Sequence, residues 1–232
     1  MHLVLFDIDG TLVKTDGAGR EAMTRTLERH FGRAYTFDAV SFSGKTDPQI
    51  LSEILAAQGH AAGEIAAELP ALLHSYTETM LQGLTAARIT VLPGAREAVA
   101  TLAARDDVAL GLVTGNVERV AFAKLDLVGL AAPFVQAGRL VGGFGSDSGH
   151  RPDLPGIARD RAHAAFPHRY EGARVWLIGD TPHDLTCGRG IGARAVGVAS
   201  GHFDRAALDG HGAALLLDHL EDLGPFFSLL DA

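Results

Sequence analysis

Asp7 and Asp9 stand two residues apart, just past a short apolar run from Leu3 to Phe6. Side chains alternate along a strand, so positions i and i+2 face the same way and Ile8 faces the other. Two carboxylates held side by side repel each other, and a divalent cation relieves the repulsion. Mg²⁺ suits such a pair because it prefers oxygen ligands and tends to keep several waters. Gly10 follows and lets the chain turn tightly, bringing backbone N–H groups near an anion. A second set is Thr114, Gly115 and Asn116 in "LVTGN". A hydroxyl, a glycine and a helix start build a pocket for an oxyanion, with the hydroxyl and the helix N–H groups as donors. A third set is Asp180 and Asp184 in "LIGDTPHD". Asp180 at a strand end can reach a cation held by Asp7. Asp184, about one helical turn on, can hold a metal-bound water or orient Asp180. Each set alone also has an ordinary reading: an acidic turn, an N-cap threonine, an acid complementing a helix dipole.

The elements around these residues are predicted from periodicity. Leu3 to Phe6 reads as a buried strand ending at solvent. Helical spacing covers 18–31, 47–58 (opened by Asp47-Pro48) and 63–86, so residues 15–88 read as all-helical. Pro93-Gly94 punctuates, and a helix follows to about Arg105. Then come the strand "VALGLVTG", the helix "VERVAFAKLDLVGL", the strand "ARVWLIGD" and a helix near 183–191. "ARAVGVAS" and "AALLLD" are two further strands, and a last helix lies around 219–230. "GGFGSDSGH" at 142–150 reads as a loop. Strands separated by helices predict an α/β fold, a parallel sheet with helices on both faces. The three chemically loaded turns end strands, and in such sheets the ligand crevice lies beyond the strands' carboxyl ends. The expected division is a core of residues 1–14 and 89–232 with an inserted helical cap domain at 15–88.

Composition narrows the function classes. Of 232 residues 47% are hydrophobic, enough for a substantial core, and 20 basic against 28 acidic residues give a net charge of −8. No basic run exceeds two residues, so nucleic acid and anionic membranes are poor partners. A small molecule is the expected partner, and a monomer or homodimer the expected state. The single cysteine, Cys187, precludes an intramolecular disulfide and fits a reducing compartment; its plain reading is a small residue near a helix. "MHLVLFDIDG" has no basic leader and is cut by two aspartates. No stretch approaches the roughly 18 apolar residues of a membrane span, so a cytoplasmic setting is expected.

"DIDGTLV" at 7–13, "LVTGN" at 112–116 and "IGDTPHD" at 178–184 resemble the first, second and fourth motifs of the haloacid dehalogenase superfamily, in the same order. The helical block, including "FSGKTD" at 42–47, is similar to the cap of its phosphoglycolate phosphatase-like branch. The resemblance implies a Rossmann-like three-layer core, a Mg²⁺ cofactor and transfer of a phosphoryl group from a small phosphate ester through an aspartyl phosphate. Carried over, Asp7 is the nucleophile and Asp9 the acid/base. Thr114 binds phosphoryl oxygens with Gly10, Gly115 and Asn116 near it. Asp7, Asp180 and the main-chain carbonyl of Asp9 hold the ion, with Asp184 beside them. The third motif of that family normally supplies a lysine. Here the matching stretch is "GHRPDLPGIARDRA", and Arg151 stands at that position. The chain has three lysines (Lys14, Lys45, Lys124) among its 20 basic residues, so arginine has room to have replaced lysine. Guanidinium keeps the charge and binds phosphate with a fork of donors. Lys45 and Arg20 are candidates to meet a distal anionic group, with plain surface exposure as the alternative. His183 reads as a loop residue, since Mg²⁺ prefers oxygen. A phosphomutase of the β-phosphoglucomutase kind shares these motifs, and a non-catalytic binding protein is the remaining alternative.

Overall fold

The apolar run at the N-terminus forms the strand β1 (His2–Phe6), in which Leu3 to Phe6 are wholly buried. The computed structural model describes residues 1–232. After β1 come β2 (Val13–Lys14), α1 (Ala18–Phe31), α2 (Asp47–Ala57), α3 (Ala62–Gly83) and β3 (Thr90–Val91). Then follow α4 (Ala95–Ala103), β4 (Val108–Thr114), α5 (Glu118–Asp126), β5 (Val135–Gln136), β6 (Arg139–Leu140) and β7 (Gly142–Phe144). The chain ends with α6 (Leu154–Ala165), β8 (Val175–Gly179), α7 (Pro182–Cys187), β9 (Arg194–Val198), α8 (Arg205–Leu208), β10 (Leu215–Leu217) and α9 (Gly224–Leu230).

Six strands make one parallel sheet in the order β10-β9-β8-β1-β4-β7. Alternation sorts the residues of β1 between two apolar layers. Val4 and Phe6 join α4, α5 and α9 on one face, through Val99, Leu125 and Phe226 among others. Leu3 and Leu5 join Leu154, Ala158 and Ala162 of α6 on the other. With both faces covered, the strands are apolar except at end positions such as His2, Thr114 and Arg194, which is why they read as continuous hydrophobic runs. The sheet is thus the expected three-layer α/β core.

The register sets the site. Phe6 lies level with Leu112 of β4 and with Ile178 of β8. Asp7, one residue past this level, and Thr114 and Asp180, two residues past it, therefore lie together at the carboxyl end of the sheet. The chain passes from β1 to β4 on one side and returns to β8 on the other, which places a topological switch point beside β1.

Two elements depart from expectation. Residues 142–144, read as loop, are the edge strand β7, paired with β4. A Cβ on Gly143 would lie 2.2 Å from the Leu154 carbonyl oxygen, and one on Gly142 2.7 Å from that of Leu112. Close backbone approach demands glycine here, and glycine erases the strand pattern. The block between β1 and β4 is not purely helical either. Val13 and Lys14 pair antiparallel with Val91 and Thr90, so the chain leaves and re-enters the core through a short ribbon. The helices of the block share the larger apolar cluster, through Met23, Leu51, Ile54, Leu72 and Tyr76. No helix is long and apolar enough to cross a membrane.

Candidate active site

Asp7 follows β1 directly, and its N–H donates to the Ile178 carbonyl of β8 at 2.9 Å. That bond keeps the first acid in register with the strand that carries Asp180. Gly10 then turns the chain with φ of 91°, a conformation that favours glycine. A Cβ there would sit 2.3 Å from the Asp180 carboxylate, and one on Gly201 only 1.6 Å from it. Asp180 is therefore boxed between two glycines, and Thr11 Oγ1 donates to its Oδ1 at 3.2 Å. Ser200 Oγ donates to the Gly10 carbonyl at 2.7 Å and ties the turn to the chain beyond β9. Thr11 and Ser200 were not legible as site residues, since isolated hydroxyls carry no spacing signal.

Carboxylate oxygens of Asp7, Asp180 and Asp184 lie within 4.8 Å of one another, all buried. Arg151 is buried with them, at 4% exposure. It heads the 3₁₀ turn Arg151–Asp153 before α6. Its Nη2 donates to Asp7 Oδ1 at 2.8 Å and also to Asp184 Oδ1. Three carboxylates against one guanidinium leave an excess of two negative charges in a dry setting. The consequences show in the titration. Burial, then the charge of Asp184, pushes the Asp7 carboxyl well above the usual range, against the pull of Arg151. Burial and Asp184 likewise raise Asp180 to about 7. Burial alone would lower the pKa of Arg151, but Asp184 and Asp7 outweigh it and push it up. An all-oxygen donor set with two uncompensated charges fits a hard divalent cation.

Asp184 has a second task. Its Oδ2 accepts from Thr181 N at 3.0 Å and Thr181 Oγ1 at 2.7 Å, closing a capping box at the start of α7. Together with Arg151 these donors fill both its oxygens, so it anchors the arginine as much as it faces the cluster. His183, next door, has its pKa lowered by burial and by Arg151. Cys187 lies buried at the other end of α7, and burial pushes its thiol up to about 12. A thiol so placed is a poor nucleophile.

Thr114 ends β4 at 1% exposure. Its Oγ1 accepts from Asn116 N at 3.3 Å and Asn116 Nδ2 at 2.8 Å, which leaves the hydroxyl hydrogen for an acceptor in the crevice. Asn116 does not reach out as expected of an anion ligand. Its Nδ2 also donates to Asp9 Oδ2 at 2.6 Å, and its Oδ1 accepts from Lys124 Nζ at 2.6 Å. Gly115 serves close approach: a Cβ on it would lie 2.1 Å from the Lys45 carbonyl oxygen.

Asp9 lies outside the acidic cluster. Lys124 Nζ donates to its Oδ1 at 2.8 Å and Oδ2 at 2.6 Å. Lys124 belongs to none of the three motifs. The sequence carries a signal for it, because Val120, Ala121 and Leu125, with Val117 at the N-cap, form the buried stripe of α5 and position 124 falls on that stripe.

The segment 44–48, which leads into α2, covers the edge where these residues meet. Asp47 N donates to the Gly115 carbonyl at 2.8 Å, and Thr46 Oγ1 to that of Gly149 at 2.8 Å. Val117 N and Tyr76 Oη donate to the Asp47 carboxylate at 2.9 and 3.3 Å. Burial raises Asp47 to about 6, against the opposing charge of Lys124. A Cβ on Gly44 would collide with the His183 ring at 2.5 Å. Lys45, a candidate for a distal anion, is paired with Glu53 at 2.5 Å. Arg20 lies exposed, with its guanidinium over Phe42 at 4.6 Å and Phe37 at 5.4 Å.

Comparison with known proteins places this geometry in context. The model of the family described as haloacid dehalogenase-like hydrolase matches residues 4–189. A phosphoglycolate phosphatase of Rhodospirillum rubrum is 28% identical over 95% of this chain and 88% of its own. Among solved structures, a hydrolase from Pseudomonas syringae superposes with a TM-score of 0.72 at 20% identity, covering 98% of each chain. CbbY from Rhodobacter sphaeroides, solved with phosphate, gives 0.68 at 23% identity, covering 97% of this chain and 96% of that one.

Proposed function

The chain belongs to the haloacid dehalogenase-like hydrolase family, and we propose that it is a Mg²⁺-dependent phosphatase. Its substrate is a small organic phosphomonoester, phosphoglycolate-like or a sugar phosphate. The observation that carries the reading is the buried convergence of Asp7, Asp180 and Asp184 beyond the strand ends, with Arg151 bonded to Asp7 and Asp184. The R. rubrum relative supports the substrate class by its name. Residues 15–88 act as a cap over a core of 1–14 and 89–232; the segment 44–48 lying on Gly115, Gly149 and His183 supports that division.

Asp7 and Asp180 would hold the ion, with the Asp9 main-chain carbonyl and Asp184 beside them. Bound there, Mg²⁺ would supply positive charge that offsets the repulsion of an anionic nucleophile by an anionic phosphate. A carboxylate oxygen of Asp7 attacks phosphorus as the bond to the ester oxygen breaks. Arg151 holds Asp7 in line and offsets its charge. Thr114 donates its hydroxyl to a phosphoryl oxygen. Asp9 gives a proton to the departing alkoxide. It then takes one from the water that attacks phosphorus, which breaks the aspartyl–phosphate bond and releases phosphate.

The test is phosphate release from a panel containing phosphoglycolate and several sugar phosphates. Activity should require Mg²⁺, vanish with EDTA and return when Mg²⁺ is restored. Isomerised sugar phosphate without free phosphate would identify a mutase instead. Turnover unaffected by EDTA would overturn the metal assignment.

A further inference from the structure

The crevice holds two buried cations, and they pair with different acids, leaving Asp180 to neither. Arg151 pairs with Asp7 and Asp184. Lys124 pairs with Asp9 alone, at 3% exposure against 39% for the Asp9 side chain. A lysine is almost never so buried unless paired, and Lys124 is held at two points, by Asp9 and by Asn116 Oδ1.

Resting on the acid/base reading of Asp9, we propose that Lys124, with Asn116, is a positioning residue that fixes the Asp9 carboxyl for proton transfer and keeps it out of the metal-binding acid cluster. The bonding distinguishes the two oxygens. Oδ2 accepts from both Asn116 Nδ2 and Lys124 Nζ, whereas Oδ1 accepts from Lys124 only. Oδ1 keeps lone-pair capacity and is the oxygen that carries the exchanged proton. The clamp serves both half-reactions, because a protonated carboxyl still has acceptor capacity for Lys124 and Asn116 while its O–H faces the ester. Without Lys124, Asp9 would keep one partner and could turn toward the ion held by its neighbours. It would then be a ligand, with its proton-transfer oxygen engaged.

A role through Asp9 makes a prediction that a purely structural role does not. An alkyl phosphate needs its leaving oxygen protonated; p-nitrophenyl phosphate, with a stable phenolate leaving group, does not. Lys124→Met should lower kcat/KM for the alkyl substrate about 100-fold, the scale of general acid catalysis. The loss on p-nitrophenyl phosphate should stay under about threefold by the same reasoning. Asp9→Asn should show the same selectivity in kcat/KM, which reports transfer to Asp7, while its kcat falls on both substrates because Asp9 also serves the attacking water; the double variant should be no worse than Asp9→Asn alone, because the two residues act as one unit. Lys124→Arg should recover most of the alkyl activity. Lys124→Gln is read in the same way if the methionine variant does not accumulate.

Equal losses on both substrates for Lys124→Met, beside a selective Asp9→Asn, would overturn the proposal. So would losses that multiply in the double variant. An Asp9→Asn variant that is not selective overturns the acid role itself, and this proposal with it.

Discussion

Asp7→Asn is expected to lower Mg²⁺-dependent phosphate release by at least about 10⁴-fold, the scale seen when a nucleophile is removed. The amide keeps the shape of the side chain but cannot form the acyl phosphate. Stability should scarcely fall. The Asp7 carboxyl is pushed well above its usual range by burial and by Asp184, so its negative charge is held at a cost in the fold. Arg151 would still have Asp184 as a partner. A melting temperature within about 4 °C of wild type is the expectation, since 1 kcal/mol shifts a chain of this size by roughly 2–4 °C. A well-folded variant with activity within tenfold of wild type would remove Asp7 from the mechanism.

Arg151→Met is expected to damage both fold and chemistry. Removing one partner of a buried ion pair costs about 3–5 kcal/mol, because the remaining charges are left without compensation. For 232 residues that corresponds to a fall in melting temperature of roughly 6–20 °C. The deficit should be larger in EDTA than in Mg²⁺, because a bound cation would offset the same carboxylates. The residual folded enzyme should lose about 10²–10³ in kcat, the usual cost of one charge-stabilising donor. Arg151→Lys should fall between the two. It keeps the charge, but the shorter lysine chain would not carry its ammonium to the point where Arg151 Nη2 alone meets both Asp7 and Asp184. Thermal melts with and without Mg²⁺, paired with steady-state rates, measure all three effects. A methionine variant as stable and active as wild type would show that Arg151 is only a loop residue.

What the sequence disclosed depended on whether a signal was local. Strand runs ending in Asp7, Thr114 and Asp180 were legible because both faces of a parallel sheet are apolar and the chemistry sits in the next residues. Arg151 could be singled out from the third-motif stretch, and it lies 2.8 Å from Asp7. Lys124 was missed because its partner is 115 positions away, and a lysine in a helix ordinarily points to water. The strand at Gly142–Phe144 was missed because two of its three residues lack side chains. The motif alone makes Asn116 and Gly115 anion ligands. Their contacts with Asp9, Lys124 and the segment 44–48 arise only when distant parts of the chain meet.

The most direct test of a shared metal centre is a crystal grown with Mn²⁺ in place of Mg²⁺, with data collected at an energy where manganese scatters anomalously. The expected result is a single peak about 2 Å from carboxylate oxygens of both Asp7 and Asp180, a coordination distance for a hard divalent ion. A peak on other residues, or none in crystals of enzyme that hydrolyses phosphate with Mn²⁺, would contradict the account.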